Sequence, residues 1–323
     1  MAPRGEDPPA LCGVKTGEKG RIDMISMTAL LGAVEQGLIY SLVALGLYLS
    51  YRVLNVADLT TDGSFTLGAA TSAMLTTLGH PVLGLAAAIL AGAMAGGVTA
   101  FLQTKCKVQP ILAGIVTMTG LYSINLMVMG GRQNLPLLKA DTVFTWAEGL
   151  LGKQFGTLAL ALAVVLVVGG GLTAFLGTQL GLSIRATGDN KDMVSASSIN
   201  PAFTTTVGLC LANAIISLSG GLLAQQQKFS DSNLGTGMVV VGLASLIIGE
   251  VIVGRGGVAR CVAGVMVGSI LYRIIMAFAL GANLGASNLK LVSAVIVGVT
   301  ISLPALKSAL AFARRKREAK KSC

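Results

Sequence analysis

Long apolar runs separated by short polar segments dominate this chain. Nine of these runs are long enough to predict helices that cross or enter a bilayer with a hydrocarbon core of ~30 Å. They cover residues 28–51, 65–78, 82–103, 109–130, 157–178, 203–226, 239–253, 258–280 and 289–312. The pattern therefore predicts an all-α, polytopic membrane protein with about nine transmembrane helices, some of them broken or re-entrant.

The most polar interruption is an island at residues 181–201, between two spans that contain no Asp, Glu, Lys or Arg. Because both flanking spans can cross a bilayer, the island is expected to form a loop at a membrane face. Within it, Asn190 is suited to cap a short helix over 190–198, which Asn200 and Pro201 would end. A short helix in that position could receive a soluble partner.

Composition and charge agree with a membrane protein. Hydrophobic residues make up 53% of the chain and charged residues 12%, whereas soluble domains usually contain about 25% charged residues. Mean hydropathy is +0.77. The net charge of +10 collects in short loops and in the tail 314–321, which is typical of the cytoplasmic side of a membrane protein. We therefore do not expect a nucleic-acid partner.

The basic loops also predict an orientation. If the arginine-rich tail is cytoplasmic, counting back along the spans places Arg255, the island, Lys105 with Lys107, and Arg52 on that same side. The amino terminus then lies outside. The chain divides into a disordered tail at 1–24, a transmembrane domain at 25–312 that contains the island, and a basic cytoplasmic tail at 313–323.

The residues that usually carry catalysis are scarce. The five cysteines are scattered without a CxxC pair, and His80 is the only histidine, so neither a metal site nor histidine-based catalysis is indicated. No GxxxxGK[ST] phosphate-binding loop occurs. The chain is therefore not expected to be an enzyme or to hydrolyse ATP. Energy for uphill transport would come from another subunit or from an ion gradient.

Two polar segments each lead into an apolar run. The first polar segment, 55–64, is either a loop at the membrane boundary or a broken helix that lines a cavity at depth, and we favour the second. The second polar segment, 229–237, has the corresponding position in the other half of the chain. Such a pair is expected in an inverted repeat, where it indicates the transport site. By the orientation above, the first segment is cytoplasmic and the second is external.

The pathway candidates in these segments and in the spans are small and polar, which favours a passage with low intrinsic selectivity. They are Asn55, Asp58, Thr60, Asp62, Ser64, Asp231 and Asn233, with Asn125, Asn213 and Ser219 from the spans.

Three stretches resemble a known family. Arg185-Ala186-Thr187-Gly188-Asp189-Asn190, with Met193, Ala196 and Ile199-Asn200, resembles the cytoplasmic coupling loop of ATP-binding-cassette importer permeases of the branched-chain amino acid and ribose type. The stretches 53–70 and 242–250 are similar to the subgroup associated with tryptophan-type amino-acid uptake. The resemblance covers roughly residues 28–310.

This resemblance implies a transport subunit of the bacterial inner membrane that works with a second permease copy, identical or different. It also implies an ATPase dimer, which would hold the ATP and magnesium, and an extracytoplasmic binding protein that delivers an amino acid, aromatic or branched-chain. The island would dock on the ATPase, with Val194 among the apolar contacts. The coupling residues are expected to be Arg185, Asp189, Asn190, Lys191, Asp192, Met193, Ala196 and Ile199.

An alternative function is a secondary transporter driven by protons or sodium. Glu35, Asp58 and Asp62 would then titrate or coordinate the ion, because carboxylates within spans are costly unless they are used. Glu250, at the inner end of its span, is expected to pair with Arg255 or Arg185 rather than to contact a solute.

Overall fold

A computed structural model describes residues 27–281 except 139 and 255, together with 291, 294, 295, 297–299 and 302. Over these residues the chain is a bundle of helices, and the prediction of an all-α, polytopic membrane protein is confirmed. The predicted tails at 1–24 and 313–323 lie outside the described residues.

Six of the described helices are long and apolar enough to cross a membrane. The first of them continues into one π-helical turn, Tyr48–Val53. The six helices are α1 (Met27–Leu47), α3 (Pro81–Thr104), α4 (Pro110–Val128), α6 (Lys153–Leu176), α9 (Pro201–Gln227) and α11 (Val258–Gly281).

Five shorter helices and one pair of strands complete the described fold. Two of these helices, with 17 and 16 residues, are ~25 Å long and so reach only part of the way across a bilayer. They are α2 (Thr61–Thr77) and α10 (Met238–Val253). The other elements are α5 (Val143–Leu151), α7 (Gln179–Asp189), α8 (Lys191–Ala196), β1 (Asn134–Pro136) and β2 (Phe229–Asp231).

Eight of the nine predicted apolar runs coincide with a described helix, and the ninth, 289–312, lies largely outside the described residues. One boundary that differs is the start of α2, which begins at Thr61 rather than at residue 65. Its first turn, which contains Asp62, is polar. An apolar pattern therefore places the start of this helix too late.

Helix α9 is the centre of the bundle. It is buried over 78% of its most apolar window, and it packs most extensively on α3 and α2. Glycines allow the close approach, because a methyl group at Gly68 or Gly92 would collide with Ser217, and one at Gly96 would collide with the backbone of Leu209. Small residues at helix crossings are the usual device for tight packing within a membrane.

The bundle has two ends, which we name the island face and the far face. The island face carries α7 and α8, and it also carries the end of the π-helical turn, because Gly188 abuts the carbonyl of Val53. Arg52 and Glu250 form an ion pair there, and α3 runs antiparallel to α9, which brings Lys105 to the same end. Of the basic segments that the sequence analysis grouped on one side, the island, Lys105 and Arg52 therefore lie at the same end of the bundle, and Arg255 lies outside the described residues.

The far face is closed by β1 and β2, which pair antiparallel, with Leu135 opposite Ser230. Gln225, in the last turn of α9, ties this face together. Its Nε2 donates to the carbonyl of Pro81 at 2.9 Å, and its Oε1 accepts from the backbone N–H of Val143 at 3.1 Å. These bonds fix the start of α3 and the start of α5 against the end of α9.

Candidate functional site

The first polar segment lies deep in the bundle. After the π-helical turn the chain runs without helix from the island face to Thr60, beside the middle of α9. Asp58 marks that depth, because its Oδ2 accepts a hydrogen bond from Nδ2 of Asn213 at 2.7 Å. Asn213 lies near the midpoint of a helix ~40 Å long. Of the two placements open from the sequence, the structure therefore has the deeper one, with irregular backbone enclosed by protein.

Asp58 and Thr60 hold this segment together. Oδ1 of Asp58 accepts from the backbone N–H of Thr60 at 2.9 Å, and the hydroxyl of Thr60 lies 2.7 Å from that of Thr99 on α3. Asp58 is only 3% exposed and Thr60 is fully buried. Both side chains therefore fix the backbone that leads into α2.

The amino ends of α2 and α10 meet at Asp62. Its Oδ2 accepts from the backbone N–H of Gly237 and its Oδ1 from that of Val239, each at 2.9 Å. One turn later, the hydroxyl of Thr66 accepts from the N–H of Gly235 at 3.0 Å. The two polar segments therefore approach from opposite faces and join inside the bundle.

From this junction the two short helices run in opposite directions. Helix α2 ends at the far face, where Ser72 accepts from Gln225, and α10 ends at the island face, where Glu250 pairs with Arg52. Two half-length helices that start together and diverge are the arrangement expected at the transport site of an inverted repeat.

A cavity of about 320 Å³ opens beside the junction. Three of the predicted pathway residues line it, namely Asp62, Asn125 and Asn233. The lining residues come from α2, α4 and the second polar segment: Asp62, Gly63, Thr66, Met118, Thr119, Tyr122, Asn125, Ser232, Asn233 and Thr236.

The other predicted pathway residues lie elsewhere. Asp58, Thr60 and Ser64 are buried outside the lining. Asn55 is exposed near the island face with a left-handed backbone (φ 55°). Asp231 belongs to β2, where its Oδ1 accepts from the N–H of Asn233 at 2.6 Å.

Helix α4 supplies the wall that sequence reasoning missed. Met118, Tyr122 and Asn125 lie on one side of it at i, i+4 and i+7 spacing, with Thr119 beside them. That spacing is visible in the sequence, but α4 is apolar on all sides, so nothing marks which side faces the site. Of these four residues, only Asn125 was a pathway candidate.

Two side chains in the cavity wall have unused hydrogen-bonding capacity. Nδ2 of Asn125 donates to the carbonyl of Gly63 at 3.4 Å, while its Oδ1 is buried without a partner among the described residues. The hydroxyl of Ser232 is likewise buried without one. Because buried polar atoms are nearly always paired, these two indicate a place for a bound polar group or water.

The island is more helical than its sequence indicated. Residues 179–189 form α7, of which 181–189 were expected to be loop. The start of α7 is capped by the hydroxyl of Thr178, which accepts from the N–H of Gly181 at 3.3 Å. Ile184 and Thr187 are buried against the bundle, and the hydroxyl of Thr187 lies 2.8 Å from that of Thr204 on α9. Helix α7 is thereby fixed to the central helix.

Helix α8 begins where the sequence predicted. Oδ1 of Asn190 accepts from the N–H groups of Asp192 and Met193, at 3.0 and 3.1 Å. Val194 is 1% exposed and packs inward, so the expectation that it would contact a partner is wrong. Met193 is 57% exposed. The remaining predicted coupling residues are exposed, except for the partly buried Ile199: Arg185, Asp189, Lys191, Asp192 and Ala196.

Glu250 pairs with a different arginine from those predicted. Its Oε1 lies 2.8 Å from Nε of Arg52, at the end of the π-helical turn. Arg185 was the wrong choice because it lies on α7, whereas the end of the π-helical turn faces the end of α10. Arg255 lies outside the described residues.

The three carboxylates proposed for ion coupling do not form one site. Glu35 accepts a hydrogen bond from Gln226, and Asp58 from Asn213, both on α9. These partners are 13 residues apart, or ~20 Å along the helix. Only Asp62 lines the cavity.

Several known proteins are similar to this chain. A tyrosine transport system permease protein of Clostridioides difficile (strain R20291) is 37% identical over 272 residues, which are 84% of this chain and 90% of that protein. The ribose import permease of Haemophilus influenzae is 22% identical over 252 residues, 77% of this chain and 76% of that protein. A solved structure of a proposed metal-chelate type ABC transporter, in an inward-facing conformation, matches with a TM-score of 0.47 and 14% identity over 86% of this chain and 85% of that chain.

The family model for branched-chain amino acid transport system permease components matches residues 29–304. That match covers most of the chain, including both polar segments and the island, so this chain belongs to the family of permease components of branched-chain amino acid transport systems.

Proposed function

We propose that this permease carries an amino acid with an aromatic or branched side chain across the bacterial inner membrane, powered by ATP hydrolysis in a separate ATPase dimer. The observation that carries the proposal is the cavity at the junction of α2 and α10, where polar side chains are gathered deep in an apolar bundle. Polar groups at such depth are costly in a membrane unless they serve a solute pathway.

The energy comes from outside this chain, because its sequence has no phosphate-binding loop. ATP and magnesium belong to the ATPase. The island face is the place where the ATPase docks, and it is therefore cytoplasmic. Met193 and Ala196 are exposed on α8, and charged side chains at Arg185, Lys191 and Asp192 surround them. An apolar centre with a polar rim is typical of protein contact surfaces.

Movement of the docked ATPase reaches the transport site through short, stiff connections. Gly188 at the end of α7 abuts the backbone of Val53, which immediately precedes the first polar segment. Thr187 contacts Thr204 on α9. A displacement of α7 and α8 is therefore passed as a rigid-body shift to the first polar segment and to α9.

A second copy of the permease, identical or related, covers the open side of the cavity. Asn233 and Thr236 are exposed, and Asp62 is partly exposed, at a depth where lipid would otherwise contact them. Exposing polar side chains to lipid is unfavourable, whereas a facing protein surface can satisfy them. At the far face, β1 and β2 form the surface that a solute-binding protein would meet.

An amino acid is favoured as the solute because the relative with 37% identity is named a tyrosine transport permease. The cavity volume of about 320 Å³ is at the small end of the usual range for ligand pockets and suits a solute of that size. The ion-coupled alternative is disfavoured because the α9 partners of Glu35 and Asp58 lie ~20 Å apart along that helix.

The proposal is tested by reconstituting the permease with an ATPase and a binding protein, both sought among the neighbouring open reading frames. ATP-dependent uptake of labelled tyrosine, phenylalanine, leucine and ribose is measured with and without a sodium or proton gradient. We expect amino-acid uptake that requires ATP and is independent of the gradient. Accumulation by the permease alone, driven by either gradient, would establish the alternative.

A further inference from the structure

We propose that the cavity beside Asp62 binds a primary ammonium group together with an apolar or aromatic group, which is the chemistry of a hydrophobic amino acid. The inference rests on the proposed function and extends it, because it assigns the permease a solute-binding site with its own selectivity.

The polar wall presents free acceptors. Asn125 and Ser232 are 1% and 4% exposed, and each has a buried oxygen without a partner among the described residues. Nδ2 of Asn125 donates one of its two hydrogens to the carbonyl of Gly63, whereas Oδ1 has no partner among the described residues and is free to accept. An ammonium group brings three donors and no acceptor, and it therefore suits this wall.

The charge at the wall also favours an ammonium group. Asp62 uses one lone pair on each carboxylate oxygen for a backbone N–H, and about two lone pairs remain. The partial positive charges at the amino ends of α2 and α10 reduce the negative potential of the Asp62 carboxylate but do not reverse it. Among the described lining residues there is no Lys, Arg or His. A solute with only a carboxylate would meet no cationic partner there.

The cavity lining also includes apolar groups, on the same side of α4 as Asn125. Met118 and Tyr122 lie one turn apart on α4 and are 37% and 42% exposed. A thioether and a phenol ring together favour an apolar or aromatic group, since sulfur and ring edges both pack well against aromatic carbon. The small polar candidates of the sequence favoured a passage with low intrinsic selectivity. Met118 and Tyr122 change that expectation, because a passage with such a lining discriminates between solutes.

The test uses the purified permease–ATPase complex in lipid nanodiscs without the binding protein, so that only the cavity selects. Binding of three probes is measured by isothermal titration: L-tyrosine, tyramine, which lacks the carboxylate, and 3-(4-hydroxyphenyl)propionate, which lacks the amine. We expect tyramine to bind within about tenfold of tyrosine and the acid to bind at least about tenfold more weakly, the effect of losing hydrogen bonds to a charged group. Equal or tighter binding of the acid would overturn the proposal.

Two variants locate the effect. Ser232→Ala removes a hydroxyl from the wall, and Ser64→Ala is its matched control, because the hydroxyl of Ser64 is also buried and unpartnered among the described residues but lies outside the lining. We expect Ser232→Ala to weaken tyramine binding several-fold and Ser64→Ala to leave it unchanged. Asn125→Leu should weaken it further. If Asn125→Leu disrupts folding, judged by loss of the intact complex on size exclusion, the comparison of Ser232→Ala with Ser64→Ala tests the proposal.

Failure of this inference is distinguishable from failure of the proposed function. If the wild-type complex with its binding protein takes up tyrosine with ATP, but the nanodisc complex binds no probe or Ser232→Ala and Ser64→Ala bind alike, only the solute site is wrong. If ATP drives no amino-acid uptake at all, the proposed function is wrong.

Discussion

The carboxylate of Asp62, in the first turn of α2, accepts a hydrogen bond from the backbone N–H of Val239, in the first turn of α10, at 2.9 Å. Each helix carries unsatisfied N–H groups and a partial positive charge at its amino end, so two such ends facing one another repel. The Asp62 carboxylate supplies acceptors for two N–H groups at the amino end of α10 and an opposite charge close to both helix ends. This is why two half-length helices can begin at the same point inside the bundle.

Replacing Asp62 tests this role. Asp62→Ala removes both acceptors, and we expect the free energy of unfolding to fall by about 1–3 kcal/mol. Asp62→Asn keeps one carbonyl oxygen, so its free energy of unfolding should lie between those of Asp62→Ala and wild type. Unfolding of the purified permease in detergent is followed by circular dichroism.

The control for that measurement is Asp141→Ala, since Asp141 is exposed on the far face. Its effect should stay within about 0.5 kcal/mol, as is usual for exposed positions without special contacts. Equal stability of the Asp62→Ala and Asp141→Ala variants would contradict the bridging role of Asp62.

Much of this arrangement can be read from the sequence, because hydropathy and polar interruptions have local causes. The apolar runs predict the spans, and the polar residues 55–64 and 229–237 mark the two interruptions where α2 and α10 begin. The meeting of α2 and α10 at Asp62 could not be predicted from the sequence, because it depends on how deep each polar segment enters the bundle. That depth is set by contacts distant in sequence, such as Asp58 with Asn213.

Gly188 provides a second prediction. A methyl group at this position would collide with the carbonyl of Val53, and backbone atoms can yield only if α7 moves. We therefore expect Gly188→Ala to shift α7 away from the first polar segment and to reduce the ratio of transport to ATP hydrolysis at least several-fold. Both rates are measured in the same proteoliposomes.

Gly120→Ala is the matched control, because Gly120 lies within α4 with open space around it. Alanine there should be neutral or stabilising by up to about 1 kcal/mol, from its higher helix propensity. If the two alanine variants transport equally well, the contact of Gly188 does not transmit motion.

The ion pair of Arg52 with Glu250 gives a third prediction. The two side chains are 40% and 20% exposed, so solvent screens much of their attraction. Glu250→Gln should cost less than about 1 kcal/mol of unfolding free energy. The variant with the reversed pair, Arg52→Glu with Glu250→Arg, should be closer to wild type in unfolding free energy than either single reversal. A double-mutant cycle of unfolding free energies measures this difference. Additive single effects would mean that the pair contributes nothing.

Side-chain direction is what the sequence could not supply. Val194 lies among exposed neighbours on α8 yet points inward, because a helix of six residues must bury one side to stay in place. Tyr122 is the converse case, because it faces the cavity although nothing in the sequence of its apolar helix marks that side. Only the packing of α4 on α2 turns Tyr122 toward the cavity. Both outcomes depend on tertiary contacts that local patterns do not encode.

The last prediction concerns the exposed side of α8. Ala196 is exposed beside Met193, so a long cationic side chain there should hold an incoming ATPase away without disturbing the membrane helices. We expect Ala196→Arg to reduce co-purification of the ATPase at least tenfold and to abolish ATP-dependent uptake, while the permease elutes as a single species on size exclusion. Leu138→Arg is the control, since Leu138 is 80% exposed on the far face. It should leave co-purification unchanged. Normal assembly and uptake by Ala196→Arg would show that the ATPase docks elsewhere.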